Sequence, residues 1–562
     1  MRLLERIASG RSQASNRSRR KGAIAVLAAI FMVVMLGMVA FSVDVGYIAN
    51  TQAELQRACD ASALAAAGAL VNGNGAATTA AQSYLAMNNV AGRAIDPSNM
   101  TVNFGLWNTN SFAFTSSSST PSAVQVTLLD NNESLFFGRV LNKNSVNLQA
   151  KSVAMYQPRD IMLVLDFSAS MAYDSQFRNA STLGLPYVQS CLQQMYQDMH
   201  SPVYGTLQFT PQYATITGMT PTNGNMAQIV TQVQDNGVQV TSTKSITQVK
   251  LQFTDGSTQT IKTSGTSGTF NGTGANASKI VETAWIKSGT NDSGNPAGSG
   301  ERFGTDSTTL MKAFGLTNVT YPYSGDSWAN YFSYVQSDSY VQSAGYANMY
   351  GYMTWINYLQ ANQYQHNQTP ILASTHEQPV GALKDSVANF MSYITAANQD
   401  DRIGLSIYTY SDQTAILESA LTANYTSISN IVSARQAGHY TGGTNIYNGL
   451  QTARTQLQNN ARPNAFKMVV LMTDGVANLP GSTSSAKSLA IQEANAAATA
   501  GYPVVTISMG ALADTSLMSQ IASITSGVYF DIPGGQTAAQ YSQQLQAVWK
   551  QVCDNRPLKI VQ

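Results

Sequence analysis

Charged residues are scarce in this chain of 562 residues, where they make up 11%, compared with about 25% in an average soluble domain. The 31 Lys and Arg residues balance the 30 Asp and Glu residues, so the overall charge does not favour a nucleic-acid-binding protein. The three cysteines and four histidines are widely spaced, and no CxxC pair or HExxH helix is present. A Walker loop and a GxSxG elbow are also absent. The sequence therefore lacks a zinc motif, a disulfide framework and the common hydrolase motifs.

Length and hydrophobic content bound the fold. Hydrophobic residues make up 44% of the chain, which excludes global disorder, and its length predicts three or four folding units. Ser, Thr, Asn, Gln, Gly and 27 Tyr replace the missing charged residues. This composition suits a surface outside the cytoplasm.

A transmembrane helix is predicted near the N-terminus. Residues 1–21 contain seven basic residues and one acidic residue, and residues 22–43 carry no charge before Asp44. As a helix, this apolar run would be about 33 Å long, which is enough to cross the core of a bilayer. A cleaved signal peptide is the main alternative, but its apolar region is usually shorter and precedes a small-residue cleavage site.

The basic flank predicts the orientation of this helix. Positive residues beside a membrane span stay in the cytoplasm. We therefore expect a single-pass protein of the inner (cytoplasmic) membrane, with a basic cytoplasmic tail over residues 1–21 and the bulk of the chain outside the cytoplasm.

The residues around the apolar run resemble a known family. Lys21 starts a Lys-Gly-Ala-Ile-Ala-Val stretch, residues 43–47 read Val-Asp-Val-Gly-Tyr, and residues 55–70 read LQRACDASALAAAGAL. This block resembles the N-terminus of TadG-like proteins of the tight-adherence (Flp pilus) system, which implies a role in adhesion or pilus assembly. Prepilins usually have Glu five residues after the cleavage glycine, whereas Leu27 follows Gly22 at that distance. We therefore expect a retained anchor.

The segment after the apolar run predicts a small module without chemistry of its own. Residues 45–70 are rich in Ala, Leu and Gln and continue the helix as a stem, which ends at residues 72–75. Alternating patterns predict strands over residues 101–106, 123–128 and 146–155, with short helices at 79–87 and 135–141. Residues 44–158 therefore form a helical stem and a small α/β module of the TadE/TadG type.

Two apolar segments far apart in the chain each run into an aspartate. Residues 161–165 precede Asp166, and residues 467–473 precede Asp474. Short apolar runs of this kind are typical of strands buried on both faces. Strand and helix patterns alternate from residue 380 to residue 552, which predicts a parallel sheet wound on both faces. Ligands of such sheets bind at the carboxyl ends of the strands.

A metal site is expected at this edge of the sheet. Asp166 begins a DxSxS string, which alone could be an ordinary Asx-turn. Together with the downstream segments it resembles von Willebrand factor type A domains, whose metal-ion-dependent adhesion site (MIDAS) combines a DxSxS loop with a distant Thr and Asp. The resemblance implies these metal ligands: Asp166, Ser168, Ser170, Thr444 and Asp474. All five offer hard oxygen donors, so Mg²⁺ is the expected ion, with Ca²⁺ or Mn²⁺ as alternatives.

The predicted type A domain is interrupted by a long insertion. Residues 159–171 and 378–553 together account for a domain of ordinary size, which leaves residues 172–377 as the insertion. Alternation and turn signals predict a β-rich lobe over about residues 237–303. A tyrosine-rich helical part covers about residues 321–364, where the aromatic rings either form a packed core or bind sugars.

These expectations define an α/β protein. It consists of an N-terminal transmembrane helix, a small α/β stem module and a doubly wound, Rossmann-like type A domain with a large β-rich and helical insertion.

Two functions remain open. The first is a membrane-anchored adhesion or pilus-assembly protein that binds an acidic group of a protein ligand through the metal; its partners are pilus-assembly or cell-surface components, not nucleic acid. The second is a carbohydrate-binding surface protein in which the insertion binds the ligand and the type A domain is a scaffold. We do not expect an enzyme, because no general base accompanies the metal ligands.

Overall fold

A computed structural model describes residues 19–108, 111–117, 121–222, 225–288, 300–397, 400–408, 415–440, 443–463, 465–554 and 557–562. The chain divides into two compact units, one formed by Met1–Gln157 with Arg556–Gln562 and the other by Pro158–Asn555. Most of the predicted basic tail, residues 1–18, lies outside the described residues.

The first unit begins with a single long helix, α1 (Arg19–Ala69). Within the described part of the chain, it is the one helix long and apolar enough to cross a membrane. Its large apolar side chains between Ile24 and Val45 are exposed. From Leu55 onward one face is buried. One helix thus provides both the apolar span and the packed stem.

A small α/β module follows α1. It contains α2 (Asn74–Ala86) and the strands β1 (Asn89–Val90), β2 (Arg93–Ala94), β3 (Met100–Asn108), β4 (Ala113–Ser116), β5 (Ala123–Ser134) and β6 (Ser145–Tyr156). Strands β3 to β6 form an antiparallel sheet, and the apolar side chains of α1, α2, β5 and β6 share one core. The short helix predicted at residues 135–141 is only a 3₁₀ turn at Gly138–Leu141, which ends at the left-handed Asn142 (φ 60°).

The second unit starts with β7 (Arg159–Leu165) and then enters the insertion. The insertion contains the helices α3 (Ala180–Leu183), α4 (Leu185–Asp198), α5 (Ser307–Ala313), α6 (Trp328–Ser337), α7 (Ser339–Ser343) and α8 (Tyr352–Asn362). Its strands are β8 (Thr215–Thr222), β9 (Asn225–Gln232), β10 (Gly237–Ser242), β11 (Ile246–Phe253), β12 (Thr258–Lys262), β13 (Ser267–Asn271), β14 (Val281–Ser288) and β15 (Glu301–Arg302).

The β-rich lobe of the insertion is larger than predicted. Its strands form two four-stranded antiparallel sheets, in the orders β13-β10-β9-β8 and β12-β11-β14-β15. The lobe begins at Thr215, so the predicted boundary near residue 237 is wrong. Gly218, Pro221 and Asn225 lie in β8 and β9, and such residues obscure a strand pattern because they are typical of turns.

The aromatic side chains of the insertion form a packed core. Tyr331, Tyr350 and Trp355 are fully buried, and Trp328 lies 6.0 Å from Trp355 between ring centroids. The Tyr331 hydroxyl donates to the Gly351 carbonyl at 2.9 Å. This arrangement supports the packed-core alternative rather than an exposed sugar-binding face.

The remaining elements complete the type A domain. In chain order they are α9 (Val380–Ala397), β16 (Arg402–Ile407), β17 (Ile416–Thr422), α10 (Tyr425–Ser433), α11 (Ile446–Asn460), β18 (Phe466–Thr473), α12 (Thr483–Thr499), β19 (Val504–Gly510), α13 (Thr515–Ile524), β20 (Tyr529–Pro533) and α14 (Ala538–Asp554). The sheet order is β17-β16-β7-β18-β19-β20, in which only the edge strand β17 is antiparallel to its neighbour.

Apolar cores cover both faces of this sheet. Side chains of α9, α10 and α14 pack on one face, and those of α11, α12 and α13 pack on the other. The predicted doubly wound α/β fold is thereby confirmed. At the amino ends of the strands, the buried Arg159 guanidinium contacts the Asp401 carboxylate at 2.9 Å and donates to the Val552 carbonyl at 2.6 Å.

The chain returns to the first unit after α14. A short strand, β21 (Leu558–Ile560), pairs antiparallel with β6 and extends the sheet of the small module. The second unit is therefore inserted in the chain between two neighbouring strands of the first. The sequence patterns did not indicate this return.

Candidate metal-ion-dependent site

The sheet brings the two strand-end aspartates together. β7 and β18 are parallel neighbours with Leu165 opposite Met472. The segments that follow the two strands therefore leave the sheet at the same edge. Asp166 follows β7 directly, and Asp474 follows β18. The Asp166 backbone N–H donates to the Met472 carbonyl at 3.2 Å, which fixes the start of the loop against the neighbouring strand.

The hydroxyl groups of the predicted site connect the two aspartates. The Ser168 and Ser170 Oγ atoms lie 2.8 Å apart, and Ser170 Oγ donates to Asp474 Oδ1 at 2.8 Å. Thr444 Oγ1 donates to Ser168 Oγ at 3.3 Å, although 276 residues separate them in the chain. All five predicted residues therefore converge in space.

Both carboxyl groups are buried without a positively charged neighbour. Asp166 accepts hydrogen bonds from the Ser168 backbone N–H at 2.8 Å and from Thr473 Oγ1 at 2.7 Å. Asp474 accepts from Ser170. Within the described residues, no Lys, Arg or His forms an ion pair with either aspartate. The donors around the carboxylates are thus neutral.

This environment changes the acidity of both groups. Burial raises the pKa of Asp166 to about 6. Burial, and next the charge of Asp166, raise the pKa of Asp474 well above its usual value. Two neighbouring carboxylates in a dry site require a proton or a cation to reduce their charge. A compact set of oxygen donors around them fits a hard divalent cation.

Two residues outside the predicted set orient the donors. Thr473 binds Asp166 as described, and its Oγ1 also accepts from the Gly475 backbone N–H at 3.2 Å. Asn478 Oδ1 accepts from the Thr444 backbone N–H at 2.8 Å. Thr473 belongs to the strand pattern that ends in Asp474, but an apolar run does not reveal which face a hydroxyl occupies. Nothing in the sequence pattern singles out Asn478.

Space at the site is limited beside Gly475. A Cβ atom added there would lie 3.2 Å from both Ser170 Oγ and Thr444 Oγ1. Contacts this short are rarely tolerated, so a larger residue would displace the hydroxyl groups. Ser170 is half-buried, whereas the other four predicted residues are buried. The open side of the cluster therefore lies near Ser170.

The insertion packs against the segment that follows the DxSxS loop. The 3₁₀ segment Ala169–Ser175 ends at Ser175, whose Oγ donates to Gln360 Oε1 of α8 at 2.6 Å. The Phe177 backbone N–H donates to Asn357 Oδ1 of the same helix at 2.8 Å. The insertion is thus in direct contact with the chain that carries the predicted metal ligands.

The insertion also contacts the segment before Thr444. Gln436 Nε2 donates to the Tyr364 carbonyl at 2.7 Å. A Cβ atom on Gly438 would lie 2.1 Å from the Tyr364 ring. The Gly438 backbone N–H donates to the Phe167 carbonyl at 2.7 Å. Residues 441–442, between this segment and Thr444, lie outside the described residues.

Family models match three parts of the chain. A model of the von Willebrand factor type A domain matches residues 373–544. A Flp pilus-assembly TadE/G-like model matches residues 22–69, and a Tad-like Flp pilus-assembly model matches residues 65–154. The type A match begins in the last residues of the insertion and omits Asp166, Ser168 and Ser170, which reach the same site through β7.

Individual relatives cover limited parts of the chain or resemble it weakly. Mouse Vitrin is 34% identical over 90 residues, which are 16% of this chain and 13% of Vitrin. An aerotolerance-related membrane protein from Bacteroides fragilis is 15% identical, covers 30% of this chain and 90% of its own, and has a TM-score of 0.24. A variant of the PilB minor pilin from Streptococcus sanguinis is 10% identical and has a TM-score of 0.27. The match covers 62% of this chain and 79% of the pilin.

Proposed function

This chain is a TadG-like Flp pilus-assembly protein with a von Willebrand factor type A domain, and from that premise we propose that it binds an acidic group of a protein partner through a divalent metal ion. The ion is held by Asp166, Ser168, Ser170, Thr444 and Asp474. The α1 helix anchors the protein in the inner membrane, and both compact units lie outside the cytoplasm.

One observation carries the proposal. Two buried carboxylates and three hydroxyl groups converge, and their partners among the described residues are neutral. An ordinary buried ion pair would include a Lys or Arg partner. A site that leaves carboxylates without one is instead arranged to receive a cation.

The proposed residues have distinct roles. Asp166 and Asp474 supply negative charge, while Ser168, Ser170 and Thr444 supply neutral oxygen atoms. A bound Mg²⁺ would supply positive charge and an open coordination position for a partner carboxylate. Because the hydroxyl donors are neutral, they offset less of the ion's positive charge than carboxylates would. The remaining positive charge attracts an anionic ligand. The half-buried Ser170 marks the side from which the ligand approaches.

The basic tail supports the proposed orientation, because Lys and Arg beside a span remain on the cytoplasmic side. The large exposed apolar side chains of α1 between Ile24 and Val45 support the anchoring.

Ion-dependent stability tests the site. A ligand that binds the folded state at a hundredfold excess over its Kd stabilises it by about 2.7 kcal/mol. We expect full-length protein in detergent to melt at a higher temperature in Mg²⁺ or Mn²⁺ than in EDTA. Calorimetric titration should detect binding of the ion alone.

Matched variants make this test specific. Asp166→Asn combined with Asp474→Asn should abolish the difference in melting temperature, whereas Asp385→Asn, at a half-exposed carboxylate of α9, should preserve it. Identical melting of the wild-type protein in EDTA and in Mg²⁺ or Mn²⁺, without calorimetric binding, would rule out the site.

A polar groove in the β-rich lobe favours a second function, the binding of carbohydrate by the insertion. The groove has a volume of about 400 Å³, and its lining includes Thr215, Thr231, Asp235, Gln239 and Asn271. If this groove binds the ligand, Asp166→Asn will leave ligand binding unchanged. If the metal site binds it, the same substitution will abolish binding.

A further inference from the structure

We propose that the loop between β5 and β6 inserts into the headgroup region of the membrane that α1 crosses. The loop, here called the 135–144 loop, places Phe136, Phe137 and Val140 among the lipids, with Arg139 and Lys143 directed to the phosphates. This inference rests on the membrane anchoring in the proposed function, but it is independent of the metal site.

A carboxylate at the end of the apolar run holds the loop in place. Asp44 is the first charged residue after Lys21. Its Oδ1 accepts from the Phe136 backbone N–H at 2.9 Å, and its Oδ2 accepts from the Phe137 backbone N–H at 3.1 Å. Asp44 is consequently buried although it begins the polar part of α1. The loop is therefore attached at the level where α1 leaves the apolar core of the bilayer.

Contacts just beyond Asp44 fix the position of the loop. The rings of Tyr47 and Phe136 meet edge to face at 4.9 Å between centroids. The Tyr47 hydroxyl donates to Glu133, at the end of β5. Glu133 also pairs with Arg93, which contacts Asp130 at 2.7 Å. These contacts join the loop to both α1 and the sheet.

The side chains of the loop have the composition of a membrane-contacting surface. Val140 is 84% exposed, Phe136 63% and Phe137 46%. Exposed apolar groups that lie close together indicate an interaction surface. Arg139 and Lys143 are exposed beside them. Apolar side chains flanked by basic ones are typical of segments that lie in the interface of an anionic bilayer.

The position of the loop indicates that lipid, and not a protein partner, covers its exposed apolar side chains. Phe41, Val43 and Val45 on α1 are exposed at 61%, 44% and 45%. Asp44, which holds the loop, stands among these exposed residues, so the loop is attached at the end of the apolar span. A bilayer that surrounds the span up to Asp44 reaches the loop without any rearrangement. The apolar side chains would lie about 5–10 Å into the boundary between headgroups and acyl chains.

Depth-dependent fluorescence quenching tests this placement. The full-length protein is reconstituted into vesicles that contain an anionic phospholipid, and an environment-sensitive fluorophore is attached to Val140→Cys. Cys191 and Cys553 are replaced by Ser, while the buried Cys59 is retained. We expect a blue-shifted emission and strong quenching by lipids with bromine near the glycerol end of the acyl chains. Bromine near the terminal methyl should quench less.

A second labelling position in the same unit provides the control. Met87 is 75% exposed. Close to it in the chain, the Ala91 backbone N–H donates to Glu54 of α1. Glu54 lies ten residues beyond Asp44, which places this contact about 15 Å farther along α1. A fluorophore on Met87→Cys should have the emission of a group in water and should not be quenched.

Flotation of the vesicles separates the two proposals. If the protein floats with the vesicles but Val140→Cys behaves like Met87→Cys, the loop is in water and the inference is wrong. If the protein does not float, the anchoring itself fails, and the membrane contact of the loop fails with it. Removal of the metal should change neither result.

Discussion

Thr473 controls the orientation of Asp166 although it is not one of the five predicted ligands. Its hydroxyl is a hydrogen-bond donor to Asp166 Oδ2, and residues that orient a metal ligand in this way typically change metal affinity by about 10- to 100-fold. We therefore expect Thr473→Val to weaken Mn²⁺ binding by about that factor, as measured by calorimetric titration.

A buried threonine in the next strand is the control for this substitution. Thr506 in β19 donates to the Met518 carbonyl at 2.9 Å, away from the proposed ligands. Thr506→Val should lower the melting temperature but leave Mn²⁺ affinity unchanged. Equal affinities for the Thr473→Val variant and the wild-type protein would show that Thr473 has only a structural role.

Protons and the ion should compete for the two aspartates. Burial raises the pKa of Asp166 to about 6, so without the ion the folded state binds protons more tightly than the unfolded state. Stability contributed by this group is then present at acidic pH and is lost as pH rises from about 4 through 6. A bound cation reverses this dependence because it favours the ionised carboxylates.

The expected result is an ion effect that grows with pH. The increase in melting temperature caused by Mg²⁺ should be small at about pH 5 and larger at about pH 7.5. Measurements of the full-length protein with Mg²⁺ and with EDTA across this range check it. The Asp166→Asn, Asp474→Asn double variant should show no increase at any pH, and an increase of equal size throughout would contradict the competition.

The five site residues were predictable for a physical reason. Asp166 and Asp474 each end an apolar strand, and parallel strands place such residues at one edge of the sheet. The DxSxS string offered Ser168 and Ser170, the resemblance to type A domains added Thr444, and the structure brings all five together. Asn478 was not predictable, because its contact with the Thr444 backbone depends on how a loop closes.

At the scale of elements, α8 links the insertion to the DxSxS segment. The Ser175 hydroxyl binds Gln360, which is buried. Gln360→Met keeps the size of the side chain but removes this acceptor. Loss of one such hydrogen bond costs about 0.5–1.5 kcal/mol, because the Ser175 hydroxyl can still donate to the Ala172 carbonyl at 2.9 Å. We expect a lower melting temperature and weaker Mn²⁺ binding, because the segment after Ser170 is less well held.

A substitution on the same helix distinguishes a local effect from a general one. Asn362 is exposed, and its side chain donates to the Tyr358 carbonyl. Asn362→Met should leave both the melting temperature and the Mn²⁺ affinity close to those of the wild-type protein. If Gln360→Met destabilises the protein without changing Mn²⁺ affinity, the insertion does not support the metal site.

Sequence patterns predicted elements well where one period dominated. The strands and helices of the type A domain follow clear periods of two and 3.6 residues, and the structure contains them in the predicted order. β8 and β9 were missed because Gly218 and Pro221 interrupt their alternation. Their strand structure comes from pairing within the lobe, which no local pattern reports.

At the scale of the whole molecule, the orientation in the membrane is testable. In vesicles whose cytoplasmic face points outward, added protease should remove only the residues before the apolar run, because the basic flank stays in the cytoplasm. Mass analysis of the protected product checks this. Detergent should then make the rest of the chain accessible to the protease. Digestion of the type A domain in intact vesicles would show that the proposed orientation is wrong.

The pairing of β21 with β6 has a consequence for the order of folding. β6 is complete before the second unit is made, whereas β21 follows the second unit in the chain. Until then the outer edge of β6 lacks its partner, and an unpaired strand edge is a site of mispairing. The small module therefore gains its last strand only after Pro158–Asn555 have been synthesised. Because such a distant contact forms slowly, early folding of the second unit should help to bring β21 back to β6.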